Sequence, residues 1–182
     1  MSALVHLHNA VFGLVQRLTE AWLLSTLARL LFAAILFMFF WRSAMTKIGE
    51  GFLGLQPSLG AYAQILPKQM EAAGFDPSTF GFTEHAIVYA GTYGEIILPI
   101  LVVIGLFTRL ASLGMIVFIV VMSITDVTGH NVDAATIGAF FDGDPSGKIL
   151  DQRSLWIFLL LTLVIKGPGP LSLDRLFGRP GQ

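Results

Sequence analysis

Cysteine is absent from the chain, so neither a disulfide framework nor a membrane dithiol relay can be built from its own residues, and any thiol chemistry must come from a partner. Charge is scarce as well. Only 13% of the 182 residues are Asp, Glu, Lys or Arg, the formal net charge is -1, and no basic stripe exists to neutralise phosphates, which argues against nucleic acid. G-x-S-x-G, Walker and dinucleotide fingerprints are missing. So are internal repeats and low-complexity tracts.

What the chain has in quantity is apolar surface. Hydrophobic residues make up 54% of it and the mean hydropathy is +0.75, too apolar and too poor in charge for an ordinary soluble domain. A lipid bilayer is the simplest partner. The expected fold class is all-α, a single membrane domain over 1–182 built as a four-helix bundle, with spans at about 22–41, 85–107, 110–127 and 153–166. Trp22 and Trp41 bracket the first run at the two interfaces, and no small-residue cleavage site follows it, so it reads as a retained signal anchor. Thr108 and Arg109 link the second and third runs so tightly that those spans must be antiparallel neighbours. The fourth has only the uncharged core Leu155 to Ile165 and needs Arg153 and Lys166 to snorkel to the interfaces.

Between the first two spans, Leu59, Tyr62, Leu66, Met70 and Ala73 recur at helical spacing, which predicts a short amphipathic segment on the membrane surface, bent at Pro67. The stretch from Thr128 to Gln152 carries Gly138, Gly143, Gly147, Pro145 and several aspartates, as a solvent-facing connection does; its apolar piece, Ile137 to Phe141, can dip into the interface. Its acidic residues have no calcium-loop spacing and read as a solvated surface. Lys and Arg divide evenly between the two sides, with Arg17, Arg109, Lys166, Arg175 and Arg179 facing Arg42, Lys47, Lys68, Lys148 and Arg153. The short loops and tail favour both termini in the cytoplasm, while Arg42 and Lys47 after the first helix pull the other way.

Arg29 and Glu95 are charges inside spans, where an unpaired charge costs several kcal/mol. At 1.5 Å per residue both lie within about 16 Å of one membrane face and about 6 Å apart in depth, so an Arg29–Glu95 ion pair is geometrically allowed. Pro99 lacks the N–H that would bond the Glu95 carbonyl, and Gly91, Thr92, Ser25, Thr26 and Ala33 make both faces suited to close helix approach. Two readings stay open: a pair that only fixes helix register, or a pocket of Arg29, Glu95 and Thr92 for a polar head group such as a quinone. His85 and His130 fall on the same side and are weak metal or haem candidates, with no further ligand at a recognisable spacing; interfacial histidines are the plainer reading. His6 and His8 are a weaker pair still, the default being a solvated tail.

The intramembrane arginine in the first span, Gly94-Glu95 running on to Ile104-Gly105-Leu106-Phe107-Thr108-Arg109, and the tail Gly167-Pro168-Gly169-Pro170-Leu171-Ser172-Leu173-Asp174 together resemble the DoxX family. The likeness covers Arg29 to Asp174. Members commonly carry G-x-x-K after the first span; here Ser43-Ala44 precede Met45, Thr46 and Lys47, so only the lysine is kept, and the acidic loop is long. The resemblance implies a bacterial plasma-membrane protein with four spans, linked in some relatives to quinone-dependent oxidation of sulfur compounds or to redox-stress complexes. The expected function is a membrane subunit of a quinone-linked redox system, whose electron carrier sits on a partner protein. The rivals are a non-catalytic anchor or assembly factor, suggested by the acidic surface, and small-solute or proton transport, suggested by Glu95 beside a proline break.

Overall fold

The structure is a computed structural model describing residues 2–50 and 54–178; Arg179, counted in the charge balance above, lies outside the described residues. Helices account for 74% of the chain, and the only sheet among the described residues is a two-stranded antiparallel ribbon of β1 (Ile48–Glu50) and β2 (Gln56–Pro57). Among those residues three helices are long and apolar enough to cross a membrane: Leu23–Met45, Phe82–Ile104 and Thr108–Thr128. The first comprises α2 (Leu23–Leu31), a π-helical turn over Phe32–Phe37 and α3 (Met38–Met45). The second and third are α6 and α7.

The π turn has a packing cause. Ala28, Phe32, Leu36, Phe40 and Ala44 are all buried and recur every four residues, a spacing that a helix of 3.6 residues per turn would rotate off the contact face by about 40° at each step. A wider turn keeps the stripe aimed inward. It meets Val102 of α6, Ala111, Met115 and Ile119 of α7, and Leu160 and Leu163 of α9 (Arg153–Lys166), which form one continuous core. The 14-residue α9 packs against both α7 and α2, α6 packs against α7 and α3, and the neighbours close into a ring.

The connection after the first long helix is two short helices, α4 (Leu59–Ile65) and α5 (Pro67–Ala72). Pro67 does not bend a single segment as expected; it occupies the first turn of α5, where its missing N–H costs nothing. Ala61, Tyr62, Leu66 and Met70 bury against Val88 of α6 in a second, smaller core. The acidic connection contains one short helix, α8 (Ala134–Ile137), and the tail ends in α10 (Leu173–Phe177).

Asp133 caps α8 by accepting the Thr136 backbone N–H at 2.6 Å. That backbone hydrogen bond, followed by a second contribution from Thr136, holds its carboxyl below the ordinary 3.8. A depressed carboxyl contributes order that is complete above the unfolded value and is lost as pH falls through the folded one. Amide exchange at Thr136 is therefore expected to stay slow from neutral pH down to about 4 and to accelerate below that; in Asp133→Ala the protection is absent throughout.

The N-terminal segment departs from the expected solvated tail. Ser2–Thr19 is an 18-residue helix, α1, with Leu4, Leu7, Val11, Leu14 and Leu18 exposed along one side. His6 and His8 stand on it two positions apart, which points them to different faces and removes them as joint ligands.

Candidate functional site

Polar groups in the long helices sort to two ends of the bundle. At one end Arg29 closes α2 and reaches backbone carbonyls only: Nε to Val102 O at 3.2 Å, Nη2 to Val103 O at 2.6 Å, Nη1 to Pro168 O at 3.1 Å, and Nη1 also to Leu171 O. Val102 and Val103 lie in the last turn of α6, whose carbonyls have no partner within the helix and carry the negative end of its dipole. Gly105 ends α6 in the left-handed region at φ 70°. A Cβ there would stand 2.6 Å from Ser172 Cβ and 2.8 Å from Arg29 Cζ, so only glycine lets the tail and the guanidinium come this close. The tail returns the contact. Asp174 accepts from the backbone N–H groups of Phe107 at 2.6 Å and Thr108 at 2.8 Å and from the Thr108 hydroxyl at 2.7 Å, capping α7 from outside its own chain segment. Gly169 lies against Ser25 and Thr26, the small residues that permit its approach.

The Arg29–Glu95 pair expected from helix depth is therefore not formed. Glu95, 1% exposed, binds Lys47 instead, Nζ to Oε2 at 2.7 Å, with Lys47 itself 6% exposed. Side-chain direction decides between the two partners. Cα–Cβ bonds tilt toward a helix N-terminus. The first long helix and α6 run antiparallel, so Glu95 leans toward the Lys47 end, and Lys47, in the turn just past the first long helix, reaches in to meet it. Arg29 leans the opposite way, toward the last turn of α6. Lys47 also donates to the Ser43 hydroxyl at 2.7 Å, one turn before it.

This second end encloses a cavity of about 660 Å³. Phe39 and Ser43 line it from the first long helix and Lys47 from just beyond its end, Gly91, Gly94, Glu95 and Leu98 from α6, and Gly114, Val117, Phe118, Val121 and Asp126 from α7. Arg153 at the start of α9 completes it, paired to Asp126 at 2.6 Å and donating to the Ser123 hydroxyl at 2.9 Å. Gln64 and His130 stand at its polar rim, where a His130 ring nitrogen lies 3.0 Å from the Gln64 carbonyl. The walls are overwhelmingly apolar and the charges come as two complete ion pairs.

Of the residues expected to share a pocket, Glu95 lines the cavity; Arg29 and Thr92 do not. Thr92 is fully buried one turn from Glu95, and its hydroxyl has no partner among the described residues. His85 sits 2.6 Å from the Tyr62 hydroxyl, on the smaller core, apart from the cavity that His130 borders. Among the described residues no group of three or more His, Cys, Asp or Glu is placed to hold a metal ion. Arg153 and Asp126 did not stand out in the sequence because each borders a loop, where charge is unremarkable. Comparison with protein-family models, curated proteins and solved structures finds no match to this chain.

The fold and cavity define a helical membrane protein with an apolar, electroneutral pocket at one end of its bundle and a backbone clamp at the other.

Proposed function

We propose that this chain is a DoxX-like protein of the bacterial plasma membrane, with α9 as a fourth span and both termini cytoplasmic, and that its cavity receives a quinone head group as part of a membrane redox system. The observation that carries the reading is the cavity itself. A largely apolar space of about 660 Å³ with Lys47, Glu95, Arg153 and Asp126 at its polar end has the make-up of a small-molecule site, in which apolar walls give affinity and a few convergent polar groups orient the ligand. A quinone carbonyl accepts from Lys47 or Arg153, and a hydroquinone hydroxyl donates to Glu95 or Asp126, so both redox forms find complementary groups. The chain supplies the binding and orientation; electrons pass to a carrier on a partner protein.

Trp156 reports occupancy, because its ring lies 5.3 Å from Phe39, which lines the cavity. In lipid nanodiscs, decylubiquinone is expected to quench tryptophan emission saturably, and the charge-neutral Lys47→Gln/Glu95→Gln variant to weaken that binding by about tenfold, the worth of one lost charge-assisted hydrogen bond. Absence of saturable quenching in folded wild-type protein overturns the reading and transfers weight to an anchor or assembly role, for which the exposed Asp133, Asp142 and Asp144 provide an acidic face.

A further inference from the structure

The cavity opens sideways as well as at its polar rim. Val117 and Val121 on α7 are each 56% exposed and Ile87 on α6 is 46% exposed, yet all three line the same space as the buried Lys47–Glu95 pair. Along its helix Val117 lies about 14 Å from Thr108, and Gly94 about 15 Å from Ile104. In a hydrocarbon layer of about 30 Å this puts the lateral gap near mid-depth, where the surroundings are acyl chains and not water. Gly94 leaves the room: a Cβ there would stand 3.8 Å from Phe118 and 3.9 Å from Leu98, whereas Gly91 and Gly114 are packed closely by Ile65 and Leu98, each 3.0 Å from where a Cβ would stand.

The charges at the polar end of the cavity limit the head group. Lys47 is neutralised by Glu95 and Arg153 by Asp126, so a head group with its own charge would bring an uncompensated ion into a low-dielectric space, at a cost of several kcal/mol. An uncharged head with carbonyl or hydroxyl groups carries no such penalty.

We infer that the site takes an uncharged, long-chain amphiphile from the bilayer itself, the head seated at Lys47–Glu95 and the hydrocarbon tail leaving through the gap between α6 and α7 at Gly94 and Val117. This rests on the reading of the cavity as a ligand site, and it adds the route and the charge class of the ligand. The two mouths divide the work: lipid-soluble material moves through the lateral gap, and the rim at Gln64 and His130 faces the aqueous side.

The test is photocrosslinking in nanodiscs with a benzoquinone whose ten-carbon tail ends in a diazirine, followed by peptide mapping. Adducts are expected on Ile87, Gly94, Val117 or Val121, and are expected to fall at least tenfold in Gly94→Phe, which fills the gap, while Gly94→Ala, which the 3.8 Å spacing to Phe118 accommodates, keeps them. Decylubiquinone is expected to compete; decyl phosphate and decyltrimethylammonium are expected to need at least a hundredfold higher concentration. Saturable adducts confined to the rim around His130 and Val132 overturn the lateral route and leave the ligand site standing. Equal competition by either charged amphiphile overturns the charge class. Absence of any saturable adduct removes the ligand site and the route with it.

Discussion

Glu95→Gln is expected to lower the thermal unfolding midpoint by about 10 °C. The substitution leaves Lys47, 6% exposed, without its counter-charge in an apolar surround. Breaking a buried pair from one side costs about 3–5 kcal/mol, and each kcal/mol shifts the midpoint of a chain this size by about 2–4 °C. Lys47→Met is expected to be nearly as damaging for the same reason, since it strands the carboxylate. The double variant Lys47→Met/Glu95→Leu removes both ions at once and is expected to recover most of the loss. Circular dichroism melts of the four proteins in mild detergent give the coupling directly. Recovery of stability without recovery of quinone quenching separates the pair's packing role from its ligand role; additive losses in the double variant would show that Lys47 and Glu95 do not depend on one another.

Arg29 is expected to give a loss of similar size with the opposite functional outcome. Arg29→Gln withdraws the donors that satisfy the carbonyls of Val102, Val103, Pro168 and Leu171 and removes the cation from the carbonyl end of α6. The Arg29 side chain is only half-buried, which reduces the cost to on the order of 3 kcal/mol. Arg29→Lys keeps the charge but has a point-like ammonium in place of a planar fork, and is expected to recover no more than half. Asp174→Asn weakens the same clamp from the tail side, because one carboxylate oxygen that accepts from Thr108 becomes an amide donor. In all three, quinone quenching by properly folded protein is expected to match wild type, because neither residue borders the cavity. A tenfold loss of binding in Arg29→Lys would contradict the separation of the two ends.

Much of the helical framework is legible from hydrophobic runs alone. The expected segment 153–166 coincides with α9, and the other three differ from the observed helices by a few residues at their ends, the usual scatter of frayed boundaries. The N-terminal helix is the exception: Leu4, Leu7, Val11, Leu14 and Leu18 recur at helical spacing, but interleaved His6, His8, Asn9 and Gln16 give the stretch the composition of a solvated tail. The candidate site was half legible. Glu95 announces itself as a carboxylate inside a span, whereas its partner lies just beyond the end of the first long helix, outside the apolar run. Depth along the axis admits Arg29 as that partner; the tilt of side chains toward each helix's N-terminus selects Lys47. The tail was recognisable as a motif, but its task depends on contacts that run across 66 to 142 positions of chain, between Asp174 and Thr108 and between Arg29 and Leu171. No local pattern carries such pairings.

The reach of the tail clamp sets a timetable for biosynthesis. Leu171 is 142 positions after Arg29, and at about 5–20 residues per second a ribosome needs about 7–28 s to cover that distance. Throughout that interval the first long helix is already in the membrane with a guanidinium whose final acceptors have not been made. Water and lipid head groups then serve Arg29 at the bilayer edge until the glycine–proline tail arrives, so the pairing of the first long helix with the end of α6 and the tail is completed only after Pro168 and Leu171 have been made.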